Sequence, residues 1–238
     1  MIDKTNQLEG FVVRTPTRPK WKRISFEEAE NILLARLATG GPGHKDCLTK
    51  LAWFYSCAKL PMKSLEYLQK LCAITDDPED KAYYYLSIGM NMEKMNNFQA
   101  AAMFYKQAFL MEPINTRVWY FINNNLGYCL NKLGRYAEAE NYCRAAIRIS
   151  PNRFNAYKNL GISLAGQGDY ISAAENFITA TRRNASDPRA LTHLEELIAQ
   201  HGELDMPDLF SKLEKCRNAV KMASEIKRKA LEEDNADK

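Results

Sequence analysis

From Ser25 onward, apolar residues recur every three or four positions, the period of helices that bury one face. Ser25 followed by Glu28 is a capping box, and Phe26, Ala29, Ile32, Leu33 and Leu37 continue at helical spacing until Gly40-Gly41-Pro42-Gly43 stops the run. The spacing predicts a first helix over about 26–39. Thr75-Asp76-Asp77-Pro78, an acidic cap followed by proline, marks the start of another. Farther on, Asp187-Pro188 opens a helix with Leu191, Leu194, Leu197 and Ile198 on one side, closed by Gly202. Asp205-Met206-Pro207 opens a longer one, in which Leu209, Leu213, Cys216, Val220 and Ala223 follow 4-3-4-3 spacing. That stripe suits a cap over the last helix pair or a seam for a second copy. The expectation is the cap, because Cys216 and Ala223 make a weak seam.

Between these ends the pattern repeats. Tyr85-x-x-Ile88-Gly89-x-x-Met92, then Ala101, Tyr105, Ala108 and Pro113, is matched 38 residues later by Asn123-x-x-Leu126-Gly127-x-x-Leu130, then Ala139, Cys143, Ala146 and Pro151. A third copy, Tyr157-x-x-Leu160-Gly161-x-x-Leu164, then Ala173, Phe177 and Ala180, follows at a spacing of 34. A weaker copy comes first, with Leu48, Leu51, Ala52, Tyr55, Ser64, Leu68 and Leu71 in the matching slots and Pro61 in its inter-helix turn.

A period of 34 with Leu-Gly, then Ala, an aromatic and Ala resembles the tetratricopeptide repeat, over about 45–187. The resemblance implies an all-α, right-handed α-solenoid of antiparallel helix pairs, with an N-terminal helix before it and C-terminal capping helices after it. In each pair the small residues allow close approach: Gly89, Gly127 and Gly161 face the alanines of the second helix. Tyr85, Met92, Tyr105, Tyr157 and Phe177 fill the space that remains, and Pro113 and Pro151 end second helices. One pair cannot bury its faces alone, so stacking is obligatory. The 38-residue interval adds about one turn ahead of Gly127, which predicts an early start for the helix holding Trp119 to Tyr128. The layout expected is a basic extended arm over 1–24, a helix and Gly-rich turn over 25–44, and four repeats over 45–78 (degenerate), 82–115, 120–153 and 154–187. Capping helices over 188–232 and a frayed tail over 233–238 complete it.

Charge sharpens this layout. The net charge is +4. All of that excess sits in residues 1–25, where Lys4, Arg14, Arg18, Lys20, Lys22 and Arg23 face only Asp3 and Glu9, with Pro16 and Pro19 holding the backbone extended. With Phe11 and Trp21 interleaved, the arm is the alternative functional element, able to meet nucleic acid or another acidic surface. The body carries no net field, so nucleic acid is not its expected partner. No apolar run reaches the length of a membrane helix and Met1-Ile2-Asp3-Lys4 lacks the apolar core of a secretory signal, so the expected location is cytoplasmic.

Reactive constellations are missing from the sequence. Gly40-Gly41-Pro42-Gly43 lacks the lysine of a phosphate loop, and no H-E-x-x-H or G-x-S-x-G occurs. His44, Asp46 and Cys47 crowd one helix start instead of converging from separate elements, and His193 and His201 flank a short helix. The six cysteines, Cys47, Cys57, Cys72, Cys129, Cys143 and Cys216, form no C-x-x-C pair and read as small apolar residues or exposed thiols. The expectation is a chain that is not an enzyme and takes no metal or cofactor.

What remains is a surface for a protein or peptide partner, or for self-association through the last helix. In the resembled family the first helix of each repeat lines a concave groove. Transferring that face implies Asp46, Thr49 and Trp53, then Tyr83, Leu86 and Met90, then Phe121, Asn124 and Tyr128, and last Asn155, Lys158 and Ile162. The family commonly bonds a peptide backbone through an asparagine before Leu-Gly; Asn125 and Asn159 match it, while Ser87 and Lys50 do not. Thr49 and Trp53 stand where relatives that grip a terminal carboxylate carry lysine and asparagine, so no such grip is expected. Two readings of Tyr83, Phe121 and Tyr128 stay open: an open groove, or rings covered by the chain's own terminal segment or by a second copy.

Overall fold

The computed structural model describes residues 11–14, 21–41, 43–202 and 204–236. Much of the basic arm, with Pro16 and Pro19, and the last two residues lie outside them. The arm's described backbone is extended and paired: β1 (Phe11–Arg14) runs antiparallel to β2 (Trp21–Ile24), with Phe11 opposite Ile24 and Arg14 opposite Trp21. Eleven helices follow among the described residues: α1 (Phe26–Ala38), α2 (His44–Cys57), α3 (Pro61–Ile74), α4 (Pro78–Lys94), α5 (Phe98–Leu110), α6 (Thr116–Lys132), α7 (Tyr136–Ile149), α8 (Phe154–Ala165), α9 (Tyr170–Arg183), α10 (Arg189–His201) and α11 (Leu209–Ala236). The chain divides into two compact units, 1–104 and 105–238, the boundary falling inside α5.

Local signals act where the sequence places them. Ser25 accepts a hydrogen bond from the Glu28 amide at 3.1 Å, and Asp77 caps α4 with Pro78 in its first turn. α4 and α6 are both 17 residues long against 12 for α8, so the extra turn expected ahead of Gly127 is present and α4 has it too. The turns inside the helix pairs share one closure. The amides of Leu60, Asn97, Arg135 and Asp169 reach back to the carbonyls of Tyr55, Met92, Leu130 and Leu164, at 2.9, 2.9, 2.9 and 3.0 Å. Each closure follows a left-handed residue: Lys59, Asn96, Gly134 or Gly168. Glycine and asparagine accept that conformation at little cost, whereas Lys59 marks the degenerate repeat.

In the first unit α2 and α3 form an antiparallel pair, with α1 on one side and α4 on the other. Phe26 stacks on Phe54 at 4.6 Å, and the Tyr55 hydroxyl donates to Glu30 at 2.6 Å, so α1 is tied to α2 by both apolar and polar contact. That hydroxyl, and then Lys63, hold the Glu30 carboxyl below its ordinary range. The three consecutive tyrosines divide differently from the repeat-based expectation. Tyr84 is buried, Tyr85 is half-buried against Phe104, and Tyr83 is exposed. Tyr84 faces α2 and α3, a contact that the first-helix pattern alone does not reveal.

In the second unit α6 packs on α7, α7 on α8, and α8 on α9, and α9 carries α10 and α11. Close approach is set at the small slots. A Cβ built on Gly127 would lie 2.5 Å from Cys143 Sγ and 3.3 Å from the Ala139 carbonyl oxygen, and one on Gly161 would lie 2.6 Å from the Phe177 ring. Ala139, Ala146, Ala173 and Ala180 are fully buried. Tyr105 and Phe177 fill the interior as expected, while Tyr85, Met92 and Tyr157 are only half-buried. On α11, Leu209, Leu213 and Cys216 join the core formed by Phe177, Ile178, Leu191 and Leu194. Beyond Ala223 its described side chains are exposed.

Two stability outcomes follow from this packing. Gly127→Ala is expected to cost about 1–3 kcal/mol in denaturant unfolding, overriding the better helix propensity of alanine, because the methyl group displaces a buried sulfur. Adding Cys143→Ala should return most of that loss. A Gly127→Ala chain that unfolds like the wild type would show that α6 and α7 do not touch there. For α11, ending the chain after Ala223 should leave the melting temperature within a few degrees, while Leu213→Ala should cost about 2–4 kcal/mol. Equal effects from the two changes would overturn the division of α11 into a docked half and an exposed half.

Candidate functional site

The expected groove residues fall into both units. In the first, Tyr83 and Met90 are 43% and 42% exposed and, seven residues apart on α4, share one face, while Trp53 on α2 is half-buried. In the second, Phe121, Asn125 and Tyr128 on α6 and Asn155 and Ile162 on α8 are half-buried. Leu86, Asn124 and Lys158 do not belong to the accessible surface: they are 4%, 7% and 6% exposed. All three occupy one repeat slot, three residues after the first groove position. Three residues turn a helix to about 60° short of a full circle, enough to swing that slot toward the neighbouring helix.

The two marker asparagines also separate. Asn159 is 2% exposed and donates to the backbone carbonyl of Asn124 at 3.3 Å and to its side-chain oxygen at 3.2 Å. Its own carbonyl accepts from Asn131 at 2.8 Å and from Ser163 at 3.0 Å. This amide seam fixes α8 against α6. Asn159 Oδ1 is left as a buried acceptor with no partner among the described residues, at a cost of about 1–3 kcal/mol. Asn125, by contrast, is half-open. It accepts from Asn124 at 3.0 Å and donates to the Tyr105 hydroxyl across a long 3.5 Å. Of the two amides it is the one left partly exposed.

Around the two rings of α6 the structure places cations that the groove pattern did not single out. The Arg117 and Arg153 guanidinium groups lie 5.9 and 5.0 Å from the Phe121 ring centre, and Arg153 lies 4.7 Å from Tyr120. Lys132 lies over Tyr128 at 5.8 Å, and Arg183 over Tyr157 at 4.6 Å. Arg117 precedes Phe121 by four residues and Lys132 follows Tyr128 by four, so helical spacing could have found both. Arg153 sits at the cap of α8, and only the packing of α8 on α6 brings it to these rings.

Burial pushes the Cys143 thiol up to about 12 and also raises Cys72 and Cys216, so none of them is a thiolate at neutral pH. Among the described residues no cluster of His, Cys, Asp and Glu could hold a metal ion, and no helix is long and apolar enough to cross a membrane. His193 stacks on Phe177 at 5.5 Å and meets Glu196 at 3.3 Å. Burial, helped by Lys158 and Lys132, lowers its pKa despite Glu196.

Comparison with known proteins agrees with this geometry. A family model described as tetratricopeptide repeat matches residues 121–185. Tetratricopeptide repeat-containing protein trd-1 of Caenorhabditis elegans is 25% identical over 141 residues, 59% of this chain and 18% of that protein. Human tetratricopeptide repeat protein 7B is 29% identical over 100 residues, 42% of this chain and 11% of that protein. The chain thus spans less than a fifth of either relative. Among solved structures, YrrB, described as a TPR protein with an unusual peptide-binding site, superposes with a TM-score of 0.59 at 17% identity, covering 82% of this chain and 97% of that one. At that identity the likeness is one of fold.

The depressed His193 pKa gives a pH dependence of stability. Its imidazole is neutral in the fold, whereas the unfolded chain takes up a proton below about pH 6.5. The stability this neutral histidine contributes is present above that pH and is lost as pH falls toward the folded pKa. The wild-type melting temperature should drop between pH 7.5 and 5.5, and the drop should be smaller in His193→Gln. An equal drop in both would remove His193 as its source.

Proposed function

Starting from a chain built of tetratricopeptide repeats, we propose that it is a protein-interaction scaffold that holds a polypeptide segment on the first-helix face of α6 and α8, with no reaction of its own. The observation that carries this reading is the pair Phe121 and Tyr128. They are two turns apart on one face of α6 and half-buried, with the half-buried Asn125 between them in sequence. Aromatic rings held partly open on a rigid helix supply contact area without a large ordering cost. A half-open amide between them can satisfy both the N–H and the C=O of a segment that loses its water. YrrB's peptide-binding description supports a segment as the kind of ligand this fold accepts. α11 packs on α9 and α10, which favours rings open to a partner over rings covered by this helix. In the first unit, Tyr83 and Met90 form a second apolar patch of the same kind.

The test is selection of twelve-residue peptides, displayed on phage, against the full chain. Peptides that the wild type selects should bind Phe121→Ala and Tyr128→Ala each about 1 kcal/mol or more weakly, with melting temperatures changed by only a few degrees. Asn125→Ala should weaken them as well, while Asn159→Ala should act on stability instead, because its amide is spent on α6. Full-affinity binding by the Phe121→Ala/Tyr128→Ala chain would place the interaction surface elsewhere and end this reading.

A further inference from the structure

We infer that the segment held on the α6 and α8 face is acidic, its aspartates or glutamates meeting Arg117 and Arg153 at one end of α6 and Lys132 at the other. This rests on the proposed function above and adds the chemistry of the partner.

In the second unit, charge is sorted between the two helices of a repeat. α6 and α8, the first helices, contain Arg117, Lys132 and Lys158 and no aspartate or glutamate, and Arg153 caps α8. The second helices are mixed. On α7 the carboxylates are already paired, Glu138 with Arg135 and Lys106, and Glu140 with Arg144 at 2.8 Å. Arg117, Lys132 and Arg153 have no carboxylate within ion-pair distance among the described residues, and each lies over an aromatic ring instead. The carboxylates at α10 include paired ones as well, Asp187 with Arg189 and Glu195 with Arg217.

Two of these cations share one ring. Both guanidinium groups lie within 6 Å of the Phe121 centre, so two like charges border one ring, and no carboxylate among the described residues lies within ion-pair distance of either. Arg117 and Arg153 are exposed, so their N–H donors are open to a ligand. A carboxylate fits such a place, accepting charge-assisted hydrogen bonds from the arginines. An uncharged segment would leave the repulsion in place, and a basic one would add to it.

Spacing sharpens the ligand. Along α6, Arg117 and Lys132 are roughly 22 Å apart and the two rings between them roughly 10 Å. An extended segment rising about 3.3 Å per residue would match this with acidic residues about seven positions apart and two apolar residues about three apart between them.

The same peptide selection tests this. The wild-type pool should be enriched in Asp and Glu. Synthetic members should bind at least tenfold more weakly when Glu is replaced by Gln, when salt is raised from 50 to 200 mM, or in Arg117→Glu/Arg153→Glu. Arg117 and Arg153 are exposed, and the single Arg117→Glu, favourable at a helix start, keeps the test valid where the double variant melts early. A pool that is neutral or basic yet lost in Phe121→Ala would overturn the acidic partner and leave the scaffold reading standing. A pool indifferent to both sets of substitutions, or no enrichment at all, would overturn both. A labelled single-stranded oligonucleotide that binds more tightly than the selected peptides, and is lost in Arg117→Glu/Arg153→Glu, would make this a nucleic-acid site and overturn the inference.

Discussion

Everything in the second unit depends on how closely two helices can approach at a position without a side chain. With Gly127 beneath Cys143 and the Ala139 carbonyl, and Gly161 beneath the Phe177 ring, the paired helices come nearer than a methyl group would allow. Close approach brings the fully buried Ala139, Ala146, Ala173 and Ala180 into contact range of the partner helix and leaves the bulkier residues to fill the flanks. It also decides which sides of each first helix remain uncovered. The accessible face of α6 is what is left after one side packs on α7 and another on α8.

The second constraint is polar. Helices that meet through asparagines must satisfy them, and Asn124, Asn131, Asn159 and Ser163 do so with one another across the α6–α8 contact. The exception is Asn159 Oδ1, which is buried with no partner among the described residues. A residue type that marks backbone recognition on the resemblance thereby becomes a structural tie in one repeat and stays half-open in the other. The difference is one of neighbours. Asn159 has α6 beside it, whereas Asn125 donates a long hydrogen bond to the Tyr105 hydroxyl.

Charge is arranged by the same separation of faces. Second helices such as α7 pair their arginines with carboxylates a turn away, interactions worth only a few tenths of a kcal/mol but enough to neutralise the surface. α6 and α8 carry no carboxylates, and Arg117, Lys132 and the α8 cap Arg153 lie over rings. A body with no net charge by composition therefore holds a locally positive, aromatic-backed face. Whole-chain charge locates the excess in the arm and hides this one.

The helices and their pairing were legible in the sequence, because capping residues, prolines and small slots act through neighbours within a few positions and recur at fixed intervals. Ser25, Asp77, Pro78, Gly127 and Gly161 act where the sequence alone places them. The candidate site was only partly legible. Phe121 and Tyr128 follow from the face that the resemblance implies, and helical spacing read four residues outward would add Arg117 and Lys132. Leu86, Asn124 and Lys158 share the repeat slot that the resemblance assigns to the groove, yet a rotation of about 60° buries them, since that rotation has meaning only once a neighbouring helix is in place. The burial of Tyr84, the bond between Asn159 and Asn124, and the reach of Arg153 to the rings of α6 likewise join residues of different helices. Such contacts were decided by tertiary packing, because their energies depend on distances between elements, and a linear pattern specifies only distances within one.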